Sequence, residues 1–353
     1  MAYTTIDDPT AYFQTKLYTG TRANLNVTFD GNSDMSPNLV WVKDRTNTNN
    51  QIMFDSVRGI NKAILPNAAN AETTYTDSVT AFNSDGFTLG DDDEGQCNVD
   101  GNACASWNWK AGTSFTNDAS STGIGSIDSA GSFNNDSGFS IVSYTGTGSN
   151  GTIKHGLNTA PSMIIFKNRS SVKGWSVYHK SIGATKFLFL NETSAEQTYT
   201  PMFNNTEPTS SVFSVGTDLA TNVSGNNYIA YCFAEKQGYS KFGSYTGNGS
   251  TDGPFVYTGF KPAFVITKRT DSTGSWGLND NKRPNYNPEN LYLVPNDAQA
   301  EASDGSWTMD LLSNGWKARY NNGNFNASGG SYIYMAFAEN PFVTSTGVPT
   351  TAR

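Results

Sequence analysis

Charged residues are scarce in this sequence, and that scarcity narrows the class of protein. Only 15% of the 353 residues are Asp, Glu, Lys or Arg, and the formal net charge is −8. Nucleic-acid binders neutralise phosphates with clustered basic residues, and the sequence has no basic stripe. We therefore expect no nucleic-acid partner. Aromatic residues make up 13% of the chain, which is enough for folded cores and argues against disorder.

Histidine and cysteine are also few. The two histidines, His155 and His179, cannot build a His/Cys metal cluster, and each is expected to be exposed or hydrogen-bonded rather than catalytic. We expect no cofactor. Cys97 and Cys104 either pair across a short loop or remain two free thiols, and three cysteines make no disulfide framework. Cys232 lies in an apolar run and is predicted to fill a core.

Long apolar runs are missing. No stretch approaches eighteen consecutive apolar residues, so we expect no membrane insertion. The first residues have neither a charged region nor an apolar region of the kind a signal peptide needs. The sequence therefore predicts synthesis in a cytoplasm without export by that route.

A proline-headed apolar run occurs three times, at 37–45, 161–169 and 262–269. Proline lacks an N–H and suits the first residue of a strand, and the apolar run suits a strand buried on both faces. Each copy ends with lysine and arginine, which we expect to return the chain to water at edges and turns. Because proline and lysine are six residues apart in all three copies, the pattern indicates a repeat.

The repeats predict an all-β chain of three tandem homologous antiparallel β-sandwich units of the jelly-roll or lectin-like kind. Each unit has about seven or eight short apolar runs separated by turn residues, which is typical of sandwiches. Three Ala-Glu pairs, at 71–72, 195–196 and 300–301, are each expected to seed a helical turn. The predicted boundaries are an extended leader at 1–15, a first unit at 16–111, a Gly/Ser/Asn-rich linker at 112–137, a second unit at 138–236, and a third unit with a C-terminal tail at 237–353.

Candidate binding residues lie where the third repeat departs from the others. Trp307 and Trp316 flank a predicted hairpin and are candidates to offer a flat apolar face to a sugar ring. Arg283 and Tyr286 belong to an excursion at 280–288 and are added to this ligand-binding set.

One dense carboxylate group stands out from the rest of the sequence. It is a weak calcium candidate, and a solvated acidic turn is favoured because the spacing is not that of an EF-hand loop. Its members are Asp91, Asp92, Asp93 and Glu94. Carboxylates do not recur within the apolar runs at matching places in the repeats, as a glycosidase pair on the shared scaffold would. We predict no catalytic residues and no enzyme.

Five long motifs carry a resemblance to a known family. The chain resembles a family of uncharacterised virion proteins of marine and freshwater bacteriophages, cyanophages among them, whose members are often labelled tail or fibre proteins. The motifs are Met1–Gln14, Trp107–Gly112, Tyr228–Glu235, Gly238–Ser250 and Asp252–Phe260. The resemblance covers nearly the whole chain and brings no catalytic residues.

The resemblance implies a component of a phage particle, located in the virion. We expect a tail fibre or tail appendage protein that contributes to attachment to a host-surface glycan, where repeated weak sites would raise avidity. The alternatives are a capsid or tail decoration protein without receptor binding and, more remotely, a polysaccharide-degrading enzyme. The implied partners are other phage structural proteins, further copies of this chain and a host cell-surface glycan.

Overall fold

The computed structural model describes residues 2–284 and 286–351. These residues form antiparallel β-sheets joined by turns, with only short helices, so the all-β sandwich prediction is confirmed. The sheets group into three units, each consisting of a large sheet faced by a small one. Homology between the units stays a prediction from the repeated sequence.

The first unit follows a 3-10 helix at Pro9–Ala11, whose first turn holds Pro9 and is capped by Asp8. Its large sheet has the order β1-β9-β3-β4-β5-β6, and its small sheet has the order β2-β8-β7. The strands are β1 (Phe13–Thr19), β2 (Leu25–Val27), β3 (Leu39–Asp44), β4 (Ile52–Asp55), β5 (Gly59–Ile64), β6 (Thr73–Thr74), β7 (Val79–Asn83), β8 (Gly86–Leu89) and β9 (Ala103–Trp109).

The second unit contains the segment predicted as a linker, since two strands between residues 112 and 137 extend its large sheet. That sheet has the order β10-β11-β12-β19-β14-β15-β16-β17, and β13 pairs with β18 in the small sheet. The elements are β10 (Thr113–Asn117), α1 (Ala119–Thr122), β11 (Ser129–Asn134), β12 (Phe139–Thr145), β13 (Gly151–Lys154), β14 (Met163–Asn168), β15 (Ser176–His179), β16 (Lys186–Phe189), β17 (Gln197–Thr198), α2 (Thr200–Phe203), β18 (Val212–Val215) and β19 (Asn227–Phe233).

The third unit has a large sheet of order β20-β26-β22-β23 and a small sheet of order β21-β25-β24. Its elements are β20 (Ser240–Thr246), β21 (Phe255–Tyr257), β22 (Phe260–Arg269), β23 (Trp276–Asp280), β24 (Met309–Leu312), β25 (Gly315–Ala318), α3 (Gly323–Asn326) and β26 (Ser331–Pro341). The proline-headed runs thus contribute β3, β14 and β22, which lie inside their sheets and are buried on both faces, as predicted.

Each large sheet is apolar on both faces because it packs against two different partners. One face meets the small sheet of the same unit and forms a local core. The other face meets the large sheets of the other two units in one common core. Trp109 of the first unit, for example, lies 6.2 Å from Phe233 of the second and 5.6 Å from Phe264 of the third, measured between ring centroids. The three units therefore share their largest hydrophobic core.

The lysines that end the proline-headed strands do not return to water, so that expectation is wrong. All three are fully buried, and each ammonium group donates to a backbone carbonyl of a neighbouring unit. The pairs are Lys43 with Ala298 at 3.0 Å, Lys167 with Ala69 at 2.9 Å, and Lys268 with Thr193 at 3.5 Å. The first unit donates to the third, the second to the first, and the third to the second. The three contacts therefore link the units in a closed cycle.

The Ala-Glu pairs predicted as helical turns lie in non-helical segments at the same three interfaces, so that prediction is wrong. Each glutamate N–H donates to a carbonyl just after a proline-headed strand of the neighbouring unit, which holds the backbone out of a helix. The pairs are Glu72 with Arg169, Glu196 with Thr270, and Glu301 with Arg45. Two of the glutamates also bind that neighbour's arginine through both carboxylate oxygens, Glu72 with Arg169 and Glu301 with Arg45.

The third of these interfaces lacks the arginine contact. Arg269 follows its lysine directly, whereas Arg45 and Arg169 are each separated from theirs by one residue. The guanidinium of Arg269 therefore pairs with Asp271 of its own unit, and Glu196 pairs with Lys186.

The leader lies against the third unit. Thr4 donates from its hydroxyl to the carbonyl of Gln237 at 2.8 Å, and Tyr3 donates to the carbonyl of Gly259 at 2.7 Å. Residues near the start of the chain are thereby held beside β21 and β22. The domain boundaries remain predictions, although the first large sheet already begins at Phe13.

Candidate functional site

Trp307 and Trp316 are buried, so neither offers its indole face to a sugar ring. Trp307 packs on Tyr292 with 4.7 Å between ring centroids, and Trp316 packs on Phe325 at 5.6 Å. Both belong to the local core of the third unit. The two tryptophans that were predicted to flank an exposed hairpin are core residues, because β24 and β25 belong to the small sheet that covers the large one.

Arg283 is also internal. Its guanidinium binds Asp280 at 2.7 Å and Glu301 at 3.1 Å, and burial of these groups leaves no face of the arginine for a ligand. Although burial disfavours its charge, the two carboxylates raise the pKa of Arg283 overall. Tyr286, by contrast, is 63% exposed. The four predicted ligand-binding residues do not form one site.

The acidic turn is organised by one buried member. Asp92 accepts hydrogen bonds from the hydroxyl of Ser78 at 2.7 Å and from the backbone N–H groups of Cys97 and Asn98 at 2.8 Å each. Asp91 and Asp93 are exposed. Within the described ranges, no three His, Cys, Asp or Glu side chains converge as metal ligands. The geometry of the turn is that of a loop held by one carboxylate.

Both histidines are buried and hydrogen-bonded. His179 donates from Nε2 to the carbonyl of Tyr334 in the third unit at 3.2 Å, and its Nδ1 accepts from the N–H of Ser181. His155 similarly contacts the carbonyl of Thr209 through Nε2. Burial lowers the pKa of each imidazole to about 4. The rings act as neutral structural groups.

The three cysteines are free and buried. The Cys104 thiol lies 3.7 Å from the carbonyl oxygen of Cys97, and burial raises the pKa of Cys104 to about 12. Burial also raises the pKa of Cys97 and Cys232. As protonated thiols these groups are poor nucleophiles.

An exposed groove lies where the leader and the end of the second unit meet the third unit, and it is lined by aromatic and polar side chains. We call it the aromatic groove: it has a volume of about 330 Å³, and its lining includes Tyr3, Glu235, Gln237, Lys241 and Tyr257. The Tyr257 side chain is 52% exposed, and its hydroxyl lies 3.3 Å from that of Tyr3.

Local sequence explains why these rings face outward. In β21, Phe255 and Tyr257 are exposed while Val256 between them is buried, as the two-residue period of a strand requires. Phe255 lies over Gly315 on the paired strand, where a Cβ atom would come within 3.0 Å of the phenyl ring. The glycine makes room for the ring at the sheet surface.

The charged end of the aromatic groove is a carboxylate between two lysines. Glu235 pairs with Lys180 and, at 2.6 Å, with Lys241. Burial opposes ionisation of Glu235, but the lysine hydrogen bonds and charges outweigh it and lower the pKa of Glu235. The groove therefore presents fixed donors and acceptors beside apolar ring faces, an arrangement suited to polar ligands with apolar patches.

Sequence reasoning missed the aromatic groove, although part of its signal was present. The alternation Phe255-Val256-Tyr257 places two aromatic residues on one face of a short strand. The strand at the corresponding place in the second unit, β13, has no aromatic residue. Tyr3 could not have been added from sequence, because it reaches the groove from more than 250 residues away.

Comparisons with known proteins identify the family and nothing more specific. Residues 8–341 match the family described as a domain of unknown function, DUF7483, and the chain belongs to that family. No curated protein and no solved structure matches the chain. None of the helices that the structure describes is long and apolar enough to cross a membrane.

Proposed function

We propose that this chain is a structural protein of a bacteriophage particle, in a tail fibre or tail appendage, and that it contacts a host-surface glycan. The observation that carries the attachment role is the aromatic groove, which is lined by the exposed Tyr257 and by the Glu235–Lys241 ion pair. Phe255, exposed on the same face of β21, extends the aromatic surface beyond the groove. Sugar rings have apolar faces and hydroxyl edges, and such a surface can pair with both. The particle itself is inferred from the sequence motifs.

The chemistry of the described residues supports binding rather than turnover. Both histidines and all three cysteines are buried as neutral groups. The buried carboxylates Asp55 and Asp280 do recur at matching places, the ends of β4 and β23, so the expectation that no carboxylate recurs is wrong; each is paired with an arginine three residues later. These groups are committed to holding the fold.

The common core supports a mechanical role. Three large sheets bury one face together, and polar contacts join each unit to the next. Because separating any unit exposes core on both sides, the body is expected to resist local opening. Such rigidity suits a part that must stay folded outside the cell.

The proposal is tested by adding purified protein to host cells during phage adsorption. The wild-type protein is expected to bind the cells and to slow adsorption. Phe255→Ala and Tyr257→Ala should each weaken cell binding about tenfold, in line with the loss of one well-packed aromatic contact. Tyr286→Ala is the matched control, since Tyr286 is more exposed than either residue but lies outside the aromatic groove, and it should bind like the wild type.

Particle labelling separates the attachment role from decoration. Antibody labelling at the tail with no binding to cells would exclude receptor binding and leave a decoration role. Absence of the protein from purified particles would reject the virion assignment altogether. Release of reducing sugar from host envelopes would overturn the non-enzymatic interpretation.

A further inference from the structure

A second concave site lies between the first and third units, away from the aromatic groove. We call it the inter-unit cleft: it has a volume of about 420 Å³, and its lining includes Phe13, Thr15, Asp30, Lys282 and Ala338. Small-molecule sites commonly occupy clefts of about 300–1,000 Å³ between structural units. The space is therefore sufficient for one small molecule.

Thr15 lines the cleft and carries a buried hydroxyl without a partner in the described ranges. The side chain is only 4% exposed, and its Oγ1 has no hydrogen-bond partner among the residues that the structure describes. A buried hydroxyl without a partner costs about 1–3 kcal/mol. Thr15 lies opposite Trp107 on the paired strand. The other two units have an apolar residue at the corresponding position, Ile141 opposite Tyr231 and Phe242 opposite Met335. An apolar residue is therefore compatible with this position, and the fold alone does not explain the threonine.

Both carboxylates around the cleft are paired with lysines. At one side Asp30 lies between Lys16 at 3.2 Å and Lys282 at 3.1 Å. At the other side Glu339 binds Lys261 at 3.0 Å. Because each carboxylate already has a cationic partner, the cleft does not select a strongly charged ligand. It offers oxygen acceptors and ammonium donors in fixed positions.

The remaining lining includes both apolar and polar side chains. Ala263 and Ala338 are small and buried, so they leave room beside the Phe13 side chain. The amide of Gln14 is held by three backbone groups, including the N–H of Gly31, so this wall of the cleft is pre-formed. Pre-formed walls lower the entropic cost of binding.

We propose that the inter-unit cleft binds a neutral polyhydroxylated molecule of monosaccharide size, with the hydroxyl of Thr15 as a hydrogen-bond partner at its base. A sugar hydroxyl both donates and accepts, so it satisfies Thr15 and also bonds to the paired charges of Asp30 and Lys282. The apolar face of the sugar lies against the alanines. This site is separate from the aromatic groove and does not depend on the particle assignment.

The test is titration of the full-length protein with a panel of free hexoses, N-acetylhexosamines and pentoses, followed by calorimetry and ligand-observed NMR. At least one sugar of the panel is expected to bind with a saturable signal. Thr15→Val keeps the shape and removes the hydroxyl, so it should weaken binding at least about tenfold, as expected for one lost hydrogen bond to a buried group. Thr15→Ser keeps the hydroxyl and should retain binding.

Stability measurements distinguish a loss of binding from a loss of folding. Thr15→Val should leave the melting temperature unchanged or raise it, because an unpartnered hydroxyl is removed. Ser176→Ala is the matched control: its buried Oγ also lacks a partner within the described part of the chain, but it lies in β15, outside the cleft lining, so it should not change sugar binding. The proposal is overturned if no sugar of the panel binds at millimolar concentration, or if Thr15→Val binds as tightly as the wild type.

Discussion

The phenol hydroxyl of Tyr231 donates a 2.7 Å hydrogen bond to the carboxylate of Asp55, which lies 176 residues earlier in the chain. Two further contacts occupy the matching places at the other interfaces between units. The indole of Trp107 donates to Asp280 at 3.0 Å, and the imidazole of His179 donates to the carbonyl of Tyr334. The three large sheets are thus joined by one of these buried polar contacts at each interface between units.

The Tyr231–Asp55 bond is expected to stabilise the fold. Tyr231→Phe should lower the free energy of unfolding by about 1–3 kcal/mol, because the hydrogen bond is lost and a buried carboxylate oxygen loses a donor. Chemical denaturation measures the change. Tyr239→Phe is the control, since the hydroxyl of Tyr239 is buried without a partner among the described residues, and its removal should cost nothing. Equal losses in the two variants would contradict this assignment.

Glu72 is expected to matter more than Glu196, although the two occupy equivalent places. Glu72 binds Arg169 and the buried Arg58, whereas Glu196 pairs with a partly exposed Lys186. Glu72→Gln should cost about 2–4 kcal/mol, because a buried guanidinium loses a partner. Glu196→Gln should cost about 0–1 kcal/mol, as is usual for an exposed pair. Thermal melting of both variants measures the difference. Similar melting temperatures would count against the interface role of Glu72.

A single unit is expected not to fold alone. Residues 112–236, which include every strand of the second unit, would expose Ile165, Tyr231 and Phe233 when expressed by themselves, and these side chains are buried in the common core of the full chain. We expect this fragment to aggregate or to lack cooperative unfolding, and the intact chain to unfold in one transition. Calorimetry and hydrogen exchange measure both. A soluble fragment with a sharp transition would show that the local core alone suffices.

Stability should increase with pH above neutrality because of the buried lysines. Burial lowers the pKa of Lys43 and Lys268 to about 8 and that of Lys167 to about 7, from an ordinary value of 10.5. Between these values the unfolded chain binds more protons than the folded chain, so raising the pH favours folding. Each lysine contributes at most about 1.4 kcal/mol per pH unit.

The window for this effect is about pH 7 to 9, since above it the thiols of the unfolded chain ionise while burial keeps those of the folded chain protonated. Urea denaturation across the window measures the slope. Lys167→Met should make the slope shallower, because one of the three contributing ammonium groups is removed, and Lys62→Met, at a partly exposed lysine of β5, should leave it unchanged. A slope that is unchanged in Lys167→Met would exclude the Lys167 ammonium as one of its sources.

Several features of the fold follow from local chemistry and were predictable. The apolar runs predicted buried strands, because a continuous apolar run suits burial on both faces. The prediction that proline begins each strand is wrong: Pro37 and Pro161 each lie two residues before their strand, and Pro262 is the third residue of β22, where the register shifts. Turn residues between short apolar segments indicated antiparallel sheets. The candidate site was less predictable. Trp307 and Trp316 flank a hairpin, but whether a hairpin covers a sheet or faces solvent depends on what packs against it.

The sequence by itself determined the β class, the strands and the spacing of lysine after proline. Only the tertiary structure decided what those lysines do. Lys167 could be assigned to water or to an interface with equal local justification, because the carbonyl it binds belongs to Ala69, about a hundred residues away. Long-range pairing also decides which aromatic side chains are left at the surface. Tyr257 remains exposed beside Tyr3, whereas Trp316 is buried by Tyr245 and Phe325, so long-range contacts decide both outcomes.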